Sequence, residues 1–549
     1  MKKLLLVVVS LMLVFGLAAC GGGDEKEVFN WNIGADPATL DPGLNGASDG
    51  GDVINNTFEG LVREINGEVL PGIAESWETS ADGLTVTFHL RESNWSDGTP
   101  LTADDFVYSW LRAMDPATAS EYSWIWYYTN VVGADDYVYN GGAPEDVGIE
   151  AVDDYTFEVQ LIQPTNYFVS LMAFYHFMPV KQEAVEAGAD GTWAKDPELY
   201  VSNGAFVLTA YTLGEGLTLE KNEEYWNAEE VGIDEVNAKF IDDASTAFAS
   251  YNSGDLDFIP SVPTDEVPVL IAESDEFYVF PLLGTYYYSF NMDPDGNGVN
   301  DGGIFDNVKL RTALSWSINR EDITEGIGAG QVPAGGFVPP GFLDDNGDDF
   351  FETAGMYGMV TDDGNYADAV TLFAEAAAEL GFTVAELQAE LAGQELLYNT
   401  SEGHQFVAEK VQESWETNLG FTIQLANQEW AVFQDTRSEG DFDIARGGWL
   451  TDFMDPSGLL SIFTSTNSYN DPNYYNAEFD QLMQDATSAT DVSVHYDKLY
   501  EAQDLFMASM PIIPVYHYTD TYLVSDSLVN WGRSVLGTVD FTRASLDRG

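Results

Sequence analysis

Apolar and polar residues alternate with a period of two in three clear stretches. They are Leu84-Thr85-Val86-Thr87-Phe88-His89-Leu90, Thr156-Phe157-Glu158-Val159-Gln160-Leu161 and Leu217-Thr218-Leu219-Glu220. Successive side chains of a strand point to opposite faces, so this pattern predicts strands half buried against a core. Trp31-Asn32-Ile33-Gly34 predicts a further short strand that opens the folded body. Elsewhere the apolar positions take up the helical period. Ala103 to Leu111 reads as a helix with Thr102 as its N-cap. Ala367 to Leu380 is an alanine-rich helix, and Gln405 to Leu419 is a helix ending at Gly420, a residue suited to the left-handed C-cap. Val494 to Met507 is a helix stopped before Pro511. Strands and helices mix without regular βαβ alternation, and no repeat of domain-building length is present. The pattern predicts an α/β fold with several lobes.

The amino-terminal segment departs from that pattern. Lys2-Lys3 precedes an apolar run from Leu4 to Phe15, and Leu17-Ala18-Ala19 supplies small residues before Cys20. This is the layout of a signal peptide over residues 1–19. The apolar run is shorter than the roughly 20 residues that span a bilayer. Cys20 is the single cysteine of the chain, so no internal disulfide forms. A cysteine at the cleavage point resembles the bacterial lipoprotein box. That resemblance implies lipidation of Cys20, attachment to a membrane through it, and an acidic tether over residues 20–29 that begins Gly21-Gly22-Gly23-Asp24-Glu25. Such a tether suits a host with a single membrane, and in a host with two the body would face the periplasm.

Of 549 residues, 45% are hydrophobic, which is enough for a large core and argues against disorder. The charge changes the picture more. There are 92 acidic and 20 basic residues, a formal net charge of -72. Such a field repels nucleic acid and anionic lipid, so neither is expected as a partner. The acid is spread along the whole chain, which fits adaptation to high salt or high pH outside the cell. Attraction of cationic ligands is the rival reading.

Several motifs carry candidate chemistry. Gly46-Ala47-Ser48-Asp49-Gly50 matches a nucleophile elbow in letters, but Asp41-Pro42-Gly43 precedes it where a strand is required, so it reads as a loop. Gly326-Ile327-Gly328-Ala329-Gly330 lacks the strand that a dinucleotide site needs. The five histidines, His89, His176, His404, His495 and His517, show no zinc-ligand spacing. Asp293, Asp295, Asn297 and Asp301 stand at positions 1, 3, 5 and 9 of a calcium loop with Gly298 at position 6. Ile304 occupies position 12, where the bidentate glutamate belongs, so a structural calcium competes with an acidic, turn-rich insertion. The aromatic runs Tyr122 to Tyr128 and Tyr286 to Tyr288 suit either a core or the lining of a cleft. Carboxylates are too abundant to nominate a catalytic pair, and no enzyme is expected.

The order of longer segments is more specific. Thr39-Leu40-Asp41-Pro42, Phe58-Glu59-Gly60-Leu61, Gly72-Ile73-Ala74-Glu75-Ser76-Trp77 and Thr87-Phe88-His89-Leu90-Arg91 are followed by the run Trp95-Ser96-Asp97-Gly98-Thr99-Pro100-Leu101-Thr102-Ala103-Asp104-Asp105-Phe106-Val107-Tyr108-Ser109-Trp110. Asn203-Gly204-Ala205-Phe206, Val308 to Leu314, Asn427-Gln428-Glu429-Trp430 and Phe442 to Asp452 complete the series. From about residue 30 to 545 the chain resembles the oligopeptide-binding proteins of ABC importers, in the peptide/nickel class of extracellular solute-binding proteins (family 5). The resemblance implies a fold like that of class II periplasmic binding proteins, with three lobes, mixed sheets and a ligand buried between domains I and III. It implies domain I over residues 24–60, 196–284 and 518–549, domain II over 61–195 and domain III over 285–517. The implied partners are a short peptide and the transmembrane subunits of a permease, and the implied state is a monomer. A nickel chelate, a murein peptide or a signalling peptide is the alternative ligand.

The same resemblance implies the site. Asp452 would pair with the peptide α-ammonium, and Arg446 and His404 would meet its C-terminal carboxylate. Backbone at Asn45, Ala47, Gly448 and Leu450 would bond the peptide main chain, and Tyr122, Tyr287, Trp430 and Trp449 would wall the side-chain pockets. Two departures from Gram-negative relatives are visible. Gly284 and Leu450 stand where those relatives have a disulfide, and Ser315 stands where they have a lysine that helps hold the peptide C-terminus.

Overall fold

The computed structural model describes residues 26–188, 191–293, 303–359, 365–451 and 453–548. The signal peptide, Cys20, Asp295, Asn297, Asp301 and Asp452 therefore lie outside the described residues. The sheets are built from strands β1 (Val28–Asn32), β2 (Ala74–Thr79), β3 (Thr85–Leu90), β4 (Ile149–Asp153), β5 (Thr156–Gln160), β6 (Phe206–Thr212), β7 (Gly216–Lys221), β8 (Glu235–Lys239), β9 (Phe258–Ile259), β10 (Phe277–Phe290), β11 (Val332–Pro333), β12 (Glu395–Asn399), β13 (Gln424–Gln428), β14 (Ile444–Leu450) and β15 (Ile512–Val524). The helices that matter for the site are α1 (Ser48–Thr57), α2 (Ala103–Met114), α3 (Tyr366–Glu379), α4 (Glu402–Leu419), α5 (Trp430–Ser438), α6 (Ala477–Thr487) and α7 (Val492–Ser509).

The period-two stretches form β3, β5 and β7, with alternate residues buried as the pattern requires. The helical stretches form α2, α3, α4 and α7. Asp105 returns its carboxylate to the Thr102 N–H at 2.8 Å, closing the start of α2. Gly420 ends α4 at a φ of 76°, and Met510 takes a left-handed φ of 46° between α7 and Pro511. One boundary differs. The opening strand runs from Val28 to Asn32, because Gly34, at a φ of 94°, is already in the turn that follows.

A long mixed sheet has the order β6-β7-β8-β1-β9-β15-β10-β14-β12-β13, with β11 paired to β15. A separate antiparallel sheet has the order β2-β3-β5-β4. Two large cores result. The first is centred on Phe29, Trp31, Phe58, Trp110, Trp126 and Phe541, and the second on Tyr288, Phe337, Trp415, Phe463 and Phe506. β10 and β15 join them. Tyr522 and Val524 are buried in the first core, whereas Tyr286 to Tyr288 and Ile512 to Val515 are buried in the second. Between these halves the β10–β15 ladder breaks, with Pro281 facing Thr519 and Thr285 facing His517. Among the described residues, no helix is long and apolar enough to cross a membrane.

Ser48 is the first residue of α1 and follows a loop, not a strand, so the elbow-like letters have no elbow. Gly326 and Ile327 lie at the end of a helix, and Gly328 and Gly330, at φ 74° and 79°, form the turn beyond it. Asp293 is buried and bonds Tyr475. Among the described residues, no cluster of three ligating side chains could hold a metal ion.

Candidate functional site

β14 is the backbone of the site. On one side it pairs with β10 along its whole length, from Ile444 opposite Phe290 to Leu450 opposite Gly284. On the other side it pairs with β12 only at Ile444 and Ala445. β12 continues alongside β13 to Asn399, so the sheet splays apart beyond residue 445. Among the described residues, the edge of Arg446 to Leu450 that faces away from β10 has no partner strand. An unpaired edge of this kind is a template for an added strand. Leu450, at the end of this edge, is 49% exposed, and Trp430, first in α5, is 51% exposed.

Alternation sets which side chains share a face. Arg446, Gly448 and Leu450 lie on one face of β14, beside Tyr288 and Tyr286 of β10 and Tyr516 and Tyr518 of β15. Arg446 holds its guanidinium 5.0 Å from the centre of the Tyr286 ring and donates to the Tyr518 hydroxyl at 3.2 Å. His404, in the first turn of α4, places its ring 5.6 Å from that of Tyr286. Burial, helped by the charge of Arg446, pulls His404 down to about 4, so the imidazole is neutral near pH 7. Among the described residues, no carboxylate reaches Arg446; its neighbours are phenols. In a chain with 92 acidic residues this is a cationic island. Glycine at 448 is needed for it. A Cβ there would lie 2.5 Å from the Tyr518 hydroxyl and 3.1 Å from the Arg446 guanidinium.

On the opposite face, Trp449 donates its indole N–H to Gly458 O at 3.1 Å and packs against Tyr469 at 4.8 Å. Tyr287 shares that opposite parity but is buried in the second core between Phe337 and Phe463, at ring distances of 5.6 and 5.8 Å. Tyr286, equally buried, lies on the Arg446 face instead. Gly284 and Leu450 are direct cross-strand partners. Ser315 is buried and spent on Arg320, whose guanidinium donates to its hydroxyl and its carbonyl at 2.9 Å each.

A second group belongs to the first core. The loop before α1 is fixed by Asp41, whose carboxylate takes two bonds from Arg112 of α2 at 3.0 and 2.5 Å and whose carbonyl accepts from Leu44 and Asn45. Asn45 is buried and donates its side-chain amide to Ala47 O at 2.7 Å. Both its amides are thus used within the loop, while Ala47 is exposed. Tyr122 lies alongside, close to Gly46 and to the rings of Trp124 and Phe174. The structure thus gathers the expected residues into two groups, one per core. Tyr516 and Tyr518, which complete the surroundings of Arg446, were absent from the sequence expectation, and Tyr286 entered it only as part of an aromatic run. Their signal was the i, i+2 spacing of tyrosines along two strands.

Similarity to known proteins agrees with this geometry. The family model of bacterial extracellular solute-binding proteins, family 5, matches residues 68–471. The oligopeptide-binding protein OppA of Bacillus subtilis is 36% identical over 547 residues, covering 95% of both chains. The periplasmic murein peptide-binding protein MppA of Escherichia coli is 34% identical, covering 91% of this chain and 89% of its own. Among solved structures, the unliganded open form of MppA superposes with a TM-score of 0.82 at 32% identity, covering 95% of this chain and 98% of that one. Haemophilus influenzae OppA in complex with the peptide RPPGFSPFR gives 0.67 at the same identity, covering 95% and 99%. On these grounds the chain belongs to the bacterial extracellular solute-binding proteins of family 5.

Proposed function

We propose that this protein captures short peptides through their backbone and termini and delivers them to an ABC permease, held at the outer face of the membrane by a lipid on Cys20. One observation carries the reading: the unpaired edge of β14 runs past a half-buried arginine that no described carboxylate neutralises. The edge offers main-chain bonds to an extended peptide, a mode that reads backbone and tolerates varied side chains. Arg446 offers a partner for a carboxylate that the rest of this acidic surface repels. Neutral His404 and the surrounding phenols supply hydrogen bonds without adding charge. Asp452 follows this strand in the sequence and is assigned to the peptide ammonium, so the ligand would be read from both ends.

Isothermal titration against a varied set of tri- to pentapeptides tests this, with heat of binding expected for some members and none for sugars or esters. Silence across the whole set overturns it. Asp452→Ala is expected to weaken binding by about 3–5 kcal/mol, since the ammonium would be buried unpaired. Mass spectrometry of whatever leaves the purified protein on denaturation separates nutrient peptides from murein fragments.

A further inference from the structure

The turn after β14 is held at three places. Thr451 donates its N–H to Leu283 O on the joining strand β10, and its hydroxyl bonds Phe453 O at 3.1 Å. Phe453 reaches into the first core, where it stacks on Tyr167 at 4.5 Å and 22°. The third hold is Asp455. Its carboxylate accepts the Ser457 N–H at 2.9 Å and lies 2.8 Å from Nε2 of His495 in α7. The other ring nitrogen, Nδ1, lies 2.8 Å from Ala486 O in α6. Both side chains are sealed from water, at 1% and 2% exposure.

A neutral imidazole carries one N–H, yet here both nitrogens face acceptors. Both bonds form only with imidazolium, whose charge Asp455 matches. Burial opposes that charge, but the attraction and hydrogen bond of Asp455 and the Ala486 carbonyl outweigh it, raising His495 to about 9. Other titratable groups that feel the pair are two phenols, buried Tyr167 from the first core and half-buried Tyr496 on α7, with Asp344 and Asp345 beyond Tyr496. A buried ion pair is a poor source of net stability compared with apolar residues of the same size. What it supplies is direction, through charge-assisted bonds that tie one turn to two helices.

We propose that the Asp455–His495 pair is a positioning clamp for peptide binding: it ties the turn from Thr451 to Ser457 to α6 and α7, and so sets how this turn meets the amino end of the ligand. The inference rests on the peptide reading and on the assignment of Asp452, which lies in sequence between the two anchored residues Thr451 and Phe453.

The test uses the peptide that binds the wild type most tightly in the titrations above, together with its N-acetylated form, at pH 7. Wild type, Asp455→Asn, His495→Gln and Asp452→Asn are compared, each with its thermal melt. The expected result is that the clamp variants fold and lose about tenfold or more of the preference for the free amine. Asp452→Asn should lose more of it. If Asp452→Asn keeps the full preference, the assignment of the ammonium partner fails and the clamp falls with it. If Asp452→Asn loses the preference while the clamp variants keep it, or weaken both peptides equally in step with a lowered Tm, the clamp alone is overturned. A ligand-free readout is the pH profile of Tm. The folded-state value of His495 is raised from 6.5, so its contribution is complete below pH 6.5 and disappears as pH rises through about 9. His495→Gln should flatten that segment; an unchanged profile counts against imidazolium at this site.

Discussion

Arg63, buried, and Arg446, half-buried, both sit on β-strands of an acidic chain, and their surroundings are opposite. Arg63 bonds Glu59 at 2.8 Å and Asp540 at 2.6 Å, and two backbone carbonyls, Asn55 O and Phe58 O, take further N–H groups. Tyr225 donates to the same Glu59 at 2.8 Å. Nearly every donor is answered, and the network ties the start of the first core to the C-terminal residues. Arg446 has one phenol oxygen at 3.2 Å and one aromatic face and, among the described residues, no carboxylate; Nε lacks a hydrogen-bond partner in both arginines. With 92 acidic side chains in the sequence, a half-buried cation that no described carboxylate meets stands apart. Pairing, more than residue type, separates the structural Arg63 from Arg446, the arginine we propose for a ligand carboxylate.

That contrast can be broken by substitution. The largest effect is expected from Arg63→Ala, which strands two carboxylates in the core. Its unfolding free energy should fall by about 3–5 kcal/mol in denaturant titrations, with peptide affinity unchanged in the fraction that folds. Arg446→Met should do the reverse. Stability should hold, while affinity for a peptide with a free C-terminus should drop by about 2 kcal/mol or more and that for its C-terminal amide should change less. Equal destabilisation by both substitutions would erase the distinction. The smallest effect is expected from Tyr518→Phe. It removes the single neutral bond to Arg446, shifting affinity for the free carboxylate by about 1 kcal/mol with little change in Tm.

Legibility in the sequence followed the range of the interactions. β3, β5 and β7, with α2, α3, α4 and α7, were readable because period, caps and stops are written in neighbouring residues. Segment order was enough for the family. Within the site, Arg446, Gly448 and Leu450 could be placed on one face, because strand alternation is local. Tyr287 shows the limit. A run of three tyrosines does not say which face meets the cleft, and the ladder with β14 and β15 sent 286 and 288 one way and 287 the other.

By itself, the sequence determined the α/β class, the family, the extreme acidity and the chemical types gathered near residues 446–452. Each of these depends on composition or on short-range order. Tertiary structure alone decided that β14 loses its partner after Ala445, that four tyrosines from two other strands enclose Arg446 without a described carboxylate, and that Asp455 meets His495 across 40 residues. Those outcomes depend on strand register and on burial, which are set by packing between segments far apart in the chain. Pairing of charges belongs to the same category, because a low-dielectric interior decides which ones must find a partner.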